Sequence, residues 1–363
     1  MILPLLLLAA AARAQTAPSV AGSVVRSKEW VVRRGKKREE EFIGDVRYDA
    51  AGTVLTSDWA LYRQEPDDWQ ARGHIAARRT FPEGDVLETR GETARYNQKT
   101  QAGTLEPTAG GRVPVLRTPP LGGTDHAEGD RLTWEGESAA VLSGRARGWG
   151  PRGEFWASAA RLERGPSGKV LTLTGERPVA HNLAGTADAA LKADKIVAFD
   201  APRRCIATGR ALGWIIAQSS STDAAHPGAV RCGKGGREGP GPDERVSALL
   251  AFRPGDAPAE AERRFWEAES AAFDARACPW GPRIEFWADE ADGEETPERR
   301  VTLSGGRPVV RKIDMDSSAA LKADRIVAYA VSNRLEAAGR VRGWMTFKEE
   351  KKRDDKKREE RKK

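Results

Sequence analysis

ALKADKIVAF at residues 190–199 returns as ALKADRIVAY at residues 320–329, with two conservative changes in ten positions. The copies are too far apart to form one local element, so part of the chain has been duplicated. Within each copy, Asp194-Ile196-Ala198 and Asp324-Ile326-Ala328 stand at a spacing of two. That period places alternate side chains on one face of a β-strand.

The match extends outward from the decamer. GEFWA (153–157) reappears as IEFWA (284–288), LTLTGERPV (171–179) as VTLSGGRPV (301–309), and GRALGW (209–214) as GRVRGW (339–344). WEGESAA (134–140) is echoed by WEAESAA (266–272), so roughly 134–214 is duplicated at 265–344. A smaller unit lies inside the larger: GRARGW (144–149) precedes GRALGW by 65 positions. The acidic phrase also recurs, as Asp58-Ala60-Tyr62, Glu92-Ala94-Tyr96 and Asp130-Leu132-Trp134. Turn residues follow, as in QEPDD (64–68) and DAPRR (200–204), and then a run bearing glycine. Gly73, Gly209 and Gly339 stand fifteen positions after their acids, and Gly144 fourteen after its own. Strand, turn and returning strand make a β-hairpin written repeatedly. Thirty-seven glycines and twenty-one prolines argue against helix. Ala257–Phe273 has a helical composition, but its alignment with the strand-like stretch around Trp134 favours strand. The expectation is an all-β chain of antiparallel hairpins, closed or folded over.

The phrases ADKIVAFD…ATGRA, SDWALYRQ…ARGHI and GETARYNQKTQAGTLEP resemble the OstA-like, or LptA/LptC-like, periplasmic proteins of lipopolysaccharide transport. The resemblance spans about 44–347 in five units, and each motif alone is short. It implies an open, twisted β-jelly roll, single or two in tandem, whose interior is an apolar slot for acyl chains. It also implies a non-enzymatic bridge that passes lipopolysaccharide, through lipid A, towards the outer membrane. Partners would be other transport proteins, joined by pairing of β-strand edges, with self-association by the same route. The chain departs from the family pattern where Ala198 and Ala328 stand in place of tyrosine. The 130-residue duplication, a Gly/Pro-rich stretch and a charged tail are further departures.

The expected slot lining is the +2 and +4 positions Tyr62, Tyr96, Leu132, Trp134, Ile196 and Ile326. Leu171, Leu173, Val301 and Leu303 are expected across the sheet. The same residues could instead fill a closed core. The opposite face, with Val197 and Phe199, is nearly as apolar, so the pattern does not fix which face points inwards. The recurring acids read as structural, bonding turn amides. Trp149, Trp214 and Trp344 read as packing residues at strand ends.

No catalytic constellation, cofactor motif or metal site emerges. His74, His126, His181 and His226 are isolated and read as loop or surface residues. GKGG (233–236) lacks the Ser or Thr and the strand–helix frame of a phosphate loop. Cys205, Cys232 and Cys278 form an odd set with no metal spacing.

The formal charge of +7 includes a net +4 in the last sixteen residues. The body, 15–347, has 49 basic and 47 acidic side chains, which excludes the clustered basic face of a nucleic-acid binder. Residues 2–12 are apolar and end at Ala12-Arg13-Ala14, the pattern of a cleaved secretory signal, 1–14. The expected order is therefore signal, first β region 28–217, a Gly/Pro-rich linker or excursion 218–245, second β region 246–347 and tail 348–363, in an exported periplasmic protein.

Overall fold

The computed structural model describes residues 24–217 and 283–347, apart from 35–37, 51, 82–83, 137, 152, 166–167, 183–186, 201, 296–297, 314–316, 330–331 and 333. The signal segment, the 218–245 linker, Ala257–Phe273 with the rest of 246–282, His226, Cys232, Cys278 and the charged tail lie outside the described residues. Every regular element among the described residues is a β-strand. Neighbouring strands pair antiparallel throughout. The expectation of an all-β chain of antiparallel hairpins holds.

The chain divides into two compact units. Among the described residues, one comprises 24–182 with 191–209 and 292–295; the other comprises 187–190, 210–217, 283–291 and 298–347.

In the first unit the strands are long, and single strands change partners partway along. Val86–Asn97 pairs near its start with Val113–Thr118 and near its end with Ala102–Glu106. Ala139–Gly150 begins against Arg131–Glu135 and finishes against Asp125–Gly129. Gly153–Gly165 begins against Val179–Asn182 and finishes against Gly168–Thr174. Each such strand thus contributes to two sheets. Register breaks mark the bends: between Ile43 and Val46, Thr56 and Trp59, Arg72 and Ile75, and Ser143 and Ala146. The result is a folded-over antiparallel sheet with two layers. Both layers bury an apolar face. Leu132, Leu142, Leu162 and Leu173 belong to the first sheet, and Ala77, Val115, Ala127 and Phe155 to the second.

The bends explain the acid-to-glycine spacing. Gly144 and Arg145 both adopt the left-handed region, at φ +71° and +46°. A Cβ at Gly144 would collide with Asp130 Oδ2, so the carboxylate packs where a side chain would be. Arg145 Nη2 donates to Asp130 Oδ1 at 2.7 Å. The Asp130 amide donates to the carbonyls of Ser143 and Gly144, each at 2.9 Å. Two consecutive positive-φ residues form a bulge that turns the strand sharply. A glycine opens it at little steric cost, and the acid–cation bond offsets the strain of the second residue. Asp58 with Gly73-His74 repeats the arrangement, with His74 Nδ1 2.7 Å from Asp58 Oδ2. Asp194 packs likewise against Gly209. In the second unit Asp324 receives Arg340 at 2.8 Å beside Gly339. The first bend inverts the polarity: Asp45 follows Gly44, and Lys28 supplies the cation at 2.7 Å. The acids were expected to bond turn amides. Instead the carboxylates of Asp130, Asp58 and Asp324 take the side chain after the glycine, because that side chain is thrown across the bend by its own positive φ.

In the second unit, Arg300–Ser304 pairs with Arg325–Tyr329, which pairs with Arg334–Ala338. Arg283–Glu294, Val309–Ile313, Ser317–Lys322 and Arg342–Phe347 form a second run of partners.

The bends can be probed by adding a methyl group. Gly110 has φ +75° and open space where a Cβ would stand, so Gly110→Ala carries only left-handed strain, about 1 kcal/mol. Gly144→Ala adds the encounter with Asp130 and should cost about 2–4 kcal/mol in urea denaturation; equal losses would show that Asp130 simply swings away. At the Asp58 bend, the hydrogen bond from His74 to Asp58 raises the histidine pKa above 6.5. The protonated form is favoured in the fold, so this bond's contribution is complete below the ordinary value and fades as pH rises through the raised one. An NMR titration should find the His74 midpoint elevated, and Asp58→Asn should return it towards the ordinary value.

Candidate functional site

Directly opposed residues in an antiparallel sheet share a face, so the register traces continuous lines of side chains across the first sheet. One line runs Phe42, Ala60, Ala71, Ala94, Leu105 and Leu132. It continues through Leu142, Ala160, Leu173, Ile196 and Ala207. A second line on the same face runs Tyr62, Trp69, Tyr96, Gly103 and Trp134. It continues through Ala140, Leu162, Leu171, Ala198 and Cys205.

The register therefore brings Tyr62, Tyr96, Leu132, Trp134, Leu171, Leu173 and Ile196 together on one apolar face. This face includes Ile196 and Ala198, which settles the parity left open by the opposite-face residues Val197 and Phe199. Val301, Leu303 and Ile326 belong to the second unit. There Leu303 opposes Ile326, and Val301 opposes Ala328. Leu303 and Ile326 are buried, and Val301 is half-buried.

Burial along the face is graded. Leu132, Leu171, Leu173 and Ile196 are 1–6% exposed, so the middle of the interior is packed. Towards the N-terminal side, Tyr62, Trp69, Ala94 and Tyr96 are half-buried. Here aromatic rings replace aliphatic side chains. Tyr62 and Trp69 lie 4.8 Å apart, Phe42 and Trp69 6.0 Å, and Phe42 and Trp30 6.2 Å. Tyr48, from the second sheet, reaches Trp69 at 6.2 Å, so the two apolar faces meet at this ring. Trp30, on the strand Glu29–Arg34, is 61% exposed.

Glycines make room for the large side chains. A Cβ at Gly103 would run into the Trp134 ring, and one at Gly148 into the Phe155 ring. The second glycine of GRARGW is thus a recess for the phenylalanine of GEFWA. In the second unit a Cβ at Gly213 would fall 2.7 Å from Phe286. Trp149 stacks on His126 at 5.2 Å and Trp214 is buried, in keeping with packing roles. The Trp344 side chain lies outside the described set.

Beyond the two apolar lines the first sheet ends in a polar rim. Tyr62 marks the transition: its ring lies on the apolar face while its hydroxyl donates to Asp67 at 2.9 Å. Burial, then the bond to Asp67, pushes the Tyr62 pKa to about 12. Backbone hydrogen bonds carry the rim onward, from Gln98 to Asp67, from Arg164 to Ser138 and from Asp200 to Lys169. On the second sheet the corresponding rim runs Arg79, Leu87, Arg117 and Asp125.

Two histidines depart from the sequence reading. His181 is fully buried, with Nδ1 3.3 Å from Glu154 Oε1 directly across the sheet. An imidazole can be buried when a cross-strand carboxylate meets its nitrogen, and only the register reveals that partner. His126 is half-buried against Trp149. Cys205 is a free thiol whose pKa burial raises to about 11, so it is a poor nucleophile. Among the described residues no group of three or more His, Cys, Asp or Glu is placed to hold a metal ion. No helix among them is long and apolar enough to cross a membrane. What the face offers chemically is apolar contact bounded by charge.

No family model and no curated protein matches the chain. Among solved structures, it is similar to LptH, the LptA-homologous periplasmic component of the lipopolysaccharide transport device of Pseudomonas aeruginosa. The identity is 16%, over 31% of this chain and 75% of that one, at a TM-score of 0.26. The architecture described above rests on the strand pairing alone.

The graded burial predicts unequal effects of truncation. Ile196→Ala should cost about 2–5 kcal/mol in chemical denaturation, the range for a packed aliphatic core position. Tyr96→Ala, at the half-buried end, should cost less. The reverse order would mean that the aromatic end, rather than the aliphatic middle, anchors the fold.

Proposed function

We propose that the protein is a non-enzymatic periplasmic carrier that binds lipopolysaccharide through the acyl chains of lipid A and relays it towards the outer membrane. The observation supporting this most directly is the apolar face, aligned strand by strand and bounded by a polar rim, with an accessible aromatic end. A face of this kind stabilises acyl chains by about 0.8 kcal/mol per buried CH₂ without needing a reactive group. On this reading Tyr62 and Tyr96 receive the chains first. Leu132, Trp134, Leu171, Leu173 and Ile196 would line the slot when its packed middle opens, and Val301, Leu303 and Ile326 would serve the second unit in the same way.

Partners would be other lipopolysaccharide-transport proteins, or further copies of this chain, joined by strand edges. The strand Glu29–Arg34, paired with Arg38–Ala50, bears the exposed Trp30 and Val31. A second reading, an envelope scaffold without a lipid ligand, is favoured by one observation: side chains in the middle of the interior are already packed.

The readings separate on expression of the full chain in the periplasm of a lipopolysaccharide-producing host. The carrier should co-purify with stoichiometric lipid A by mass spectrometry. Photo-crosslinking residues at Tyr62 and Tyr96 should capture it more efficiently than one at Ile196. A lipid-free protein that also fails to bind added lipopolysaccharide would leave the scaffold.

A further inference from the structure

The rim of the first sheet mostly balances its charges. Arg203 meets Glu295 at 3.2 Å, and Arg38 meets Glu40 at 2.8 Å. The hairpin joining Gly153–Gly165 to Gly168–Thr174 is different. Its register places Arg164 directly opposite Lys169, two cations on one face. Like charges in directly opposed positions destabilise a sheet. Among the described residues, neither side chain forms an ion pair within 4.0 Å. Both stand on the apolar face, one step beyond the opposed pair Leu162 and Leu171.

A third cation approaches from the other sheet. Arg117 lies on the second rim, held by Asp85, which accepts from its Nε at 2.8 Å, with Asp125 at 3.7 Å. Lys169 feels this rim: burial chiefly, then the charges of Arg117 and Arg164, depress its pKa, against the opposing pull of Asp200 and Asp85. Asp200 neighbours Lys169 through its backbone amide. Asp85 and Asp125 are thus engaged with Arg117, and Asp200 acts on Lys169 only from beyond ion-pair distance, so among the described residues Arg164 and Lys169 face each other without a paired carboxylate.

The duplication supplies an internal comparison. In the second copy the positions aligned with Arg164 and Lys169 are Glu295 and Arg299, of opposite sign. The like-charged pair is therefore not something the hairpin requires.

We infer that Arg164 and Lys169 form a seat for an anionic phosphate group on the head of an acylated ligand, whose chains would pass Leu162 and Leu171 when the packed middle of the slot opens. A phosphate ester fits because its several acceptor oxygens can take the Arg fork and the Lys ammonium together. The bridged anion would also remove the repulsion between them. This inference rests on the lipid-carrier reading and adds to it the headgroup chemistry and the place where it binds.

The test uses the full chain and two lipids, lipid A with its phosphates and the same lipid dephosphorylated, alongside inorganic pyrophosphate. The wild type should bind the phosphorylated lipid about tenfold more tightly than the dephosphorylated one, the effect of a single charge-assisted contact pair. Arg164→Gln/Lys169→Gln should reduce that ratio to near one while leaving affinity for the dephosphorylated lipid unchanged. Arg164→Lys/Lys169→Arg should restore it, which separates a lost charge from a damaged fold. A ratio unaltered by the double Gln variant would overturn the seat.

Should neither lipid bind, the carrier reading fails, and pyrophosphate decides the seat by itself. Chemical-shift changes at Lys169 that weaken in the single variant Arg164→Gln would retain an anion site. No change at Lys169 would remove it.

Discussion

The fold depends on a constraint at the bends: a carboxylate must occupy the space that a glycine leaves empty. Asp130 against Gly144, Asp58 against Gly73 and Asp194 against Gly209 are the same contact repeated. Each holds two consecutive residues in the left-handed region, which ordinary side chains avoid. As exposed ion pairs these contacts add little stability. Their importance is geometric. A bulge advances one strand relative to its neighbour, and a slip of one residue exchanges the faces of everything that follows. By fixing where each strand bends, the acid–glycine contact fixes which residues enter the apolar lines.

The consequence is visible in the two periods of the sequence. Alternation within a strand puts Asp194, Ile196 and Ala198 on one face. The longer repeat sets one such strand beside the next in matching register. Together they align Leu132, Leu142, Ala160, Leu173 and Ile196 across five successive strands of the sheet. Where a large ring crosses the sheet a small residue makes room for it, as with Gly103 under Trp134. Close packing of this kind requires a vacancy opposite each large ring.

Much of this was legible in the sequence, and the limits have physical causes. The acids, the glycines and their spacing announced the hairpins, because a bend needs particular residues at particular distances. The apolar face was named by its +2 and +4 positions, but its direction was not readable. Both sides of the strand 195–199 are apolar, and only the pairing of Leu173 with Ile196 distinguishes them. The burial of His181 and the opposition of Arg164 to Lys169 were invisible for a related reason. Each depends on a partner supplied by a different strand, and sequence distance conveys nothing about cross-strand register.

The duplicated unit also shows which chemistry its fold demands and which it leaves free. Glu154 faces His181 across one pair of strands, and Glu285 faces Arg311 across the corresponding pair, at 3.3 Å in both cases. The carboxylate is kept while its partner changes from imidazole to guanidinium. Burial lowers the Arg311 pKa to about 10, which still leaves it charged at neutral pH. A buried carboxylate needs a donor opposite it, because an unpaired one is costly in a medium of low dielectric. The requirement is for a donor, whichever side chain supplies it. At the hairpin rim no comparable requirement exists, since the aligned positions of the second copy, Glu295 and Arg299, carry opposite signs. A charge pattern that costs stability and that the second copy lacks is not dictated by folding, and Arg164 opposite Lys169 is such a pattern. Structural demand therefore accounts for Glu154 and Glu285, whereas the fold leaves the signs of the two rim charges free.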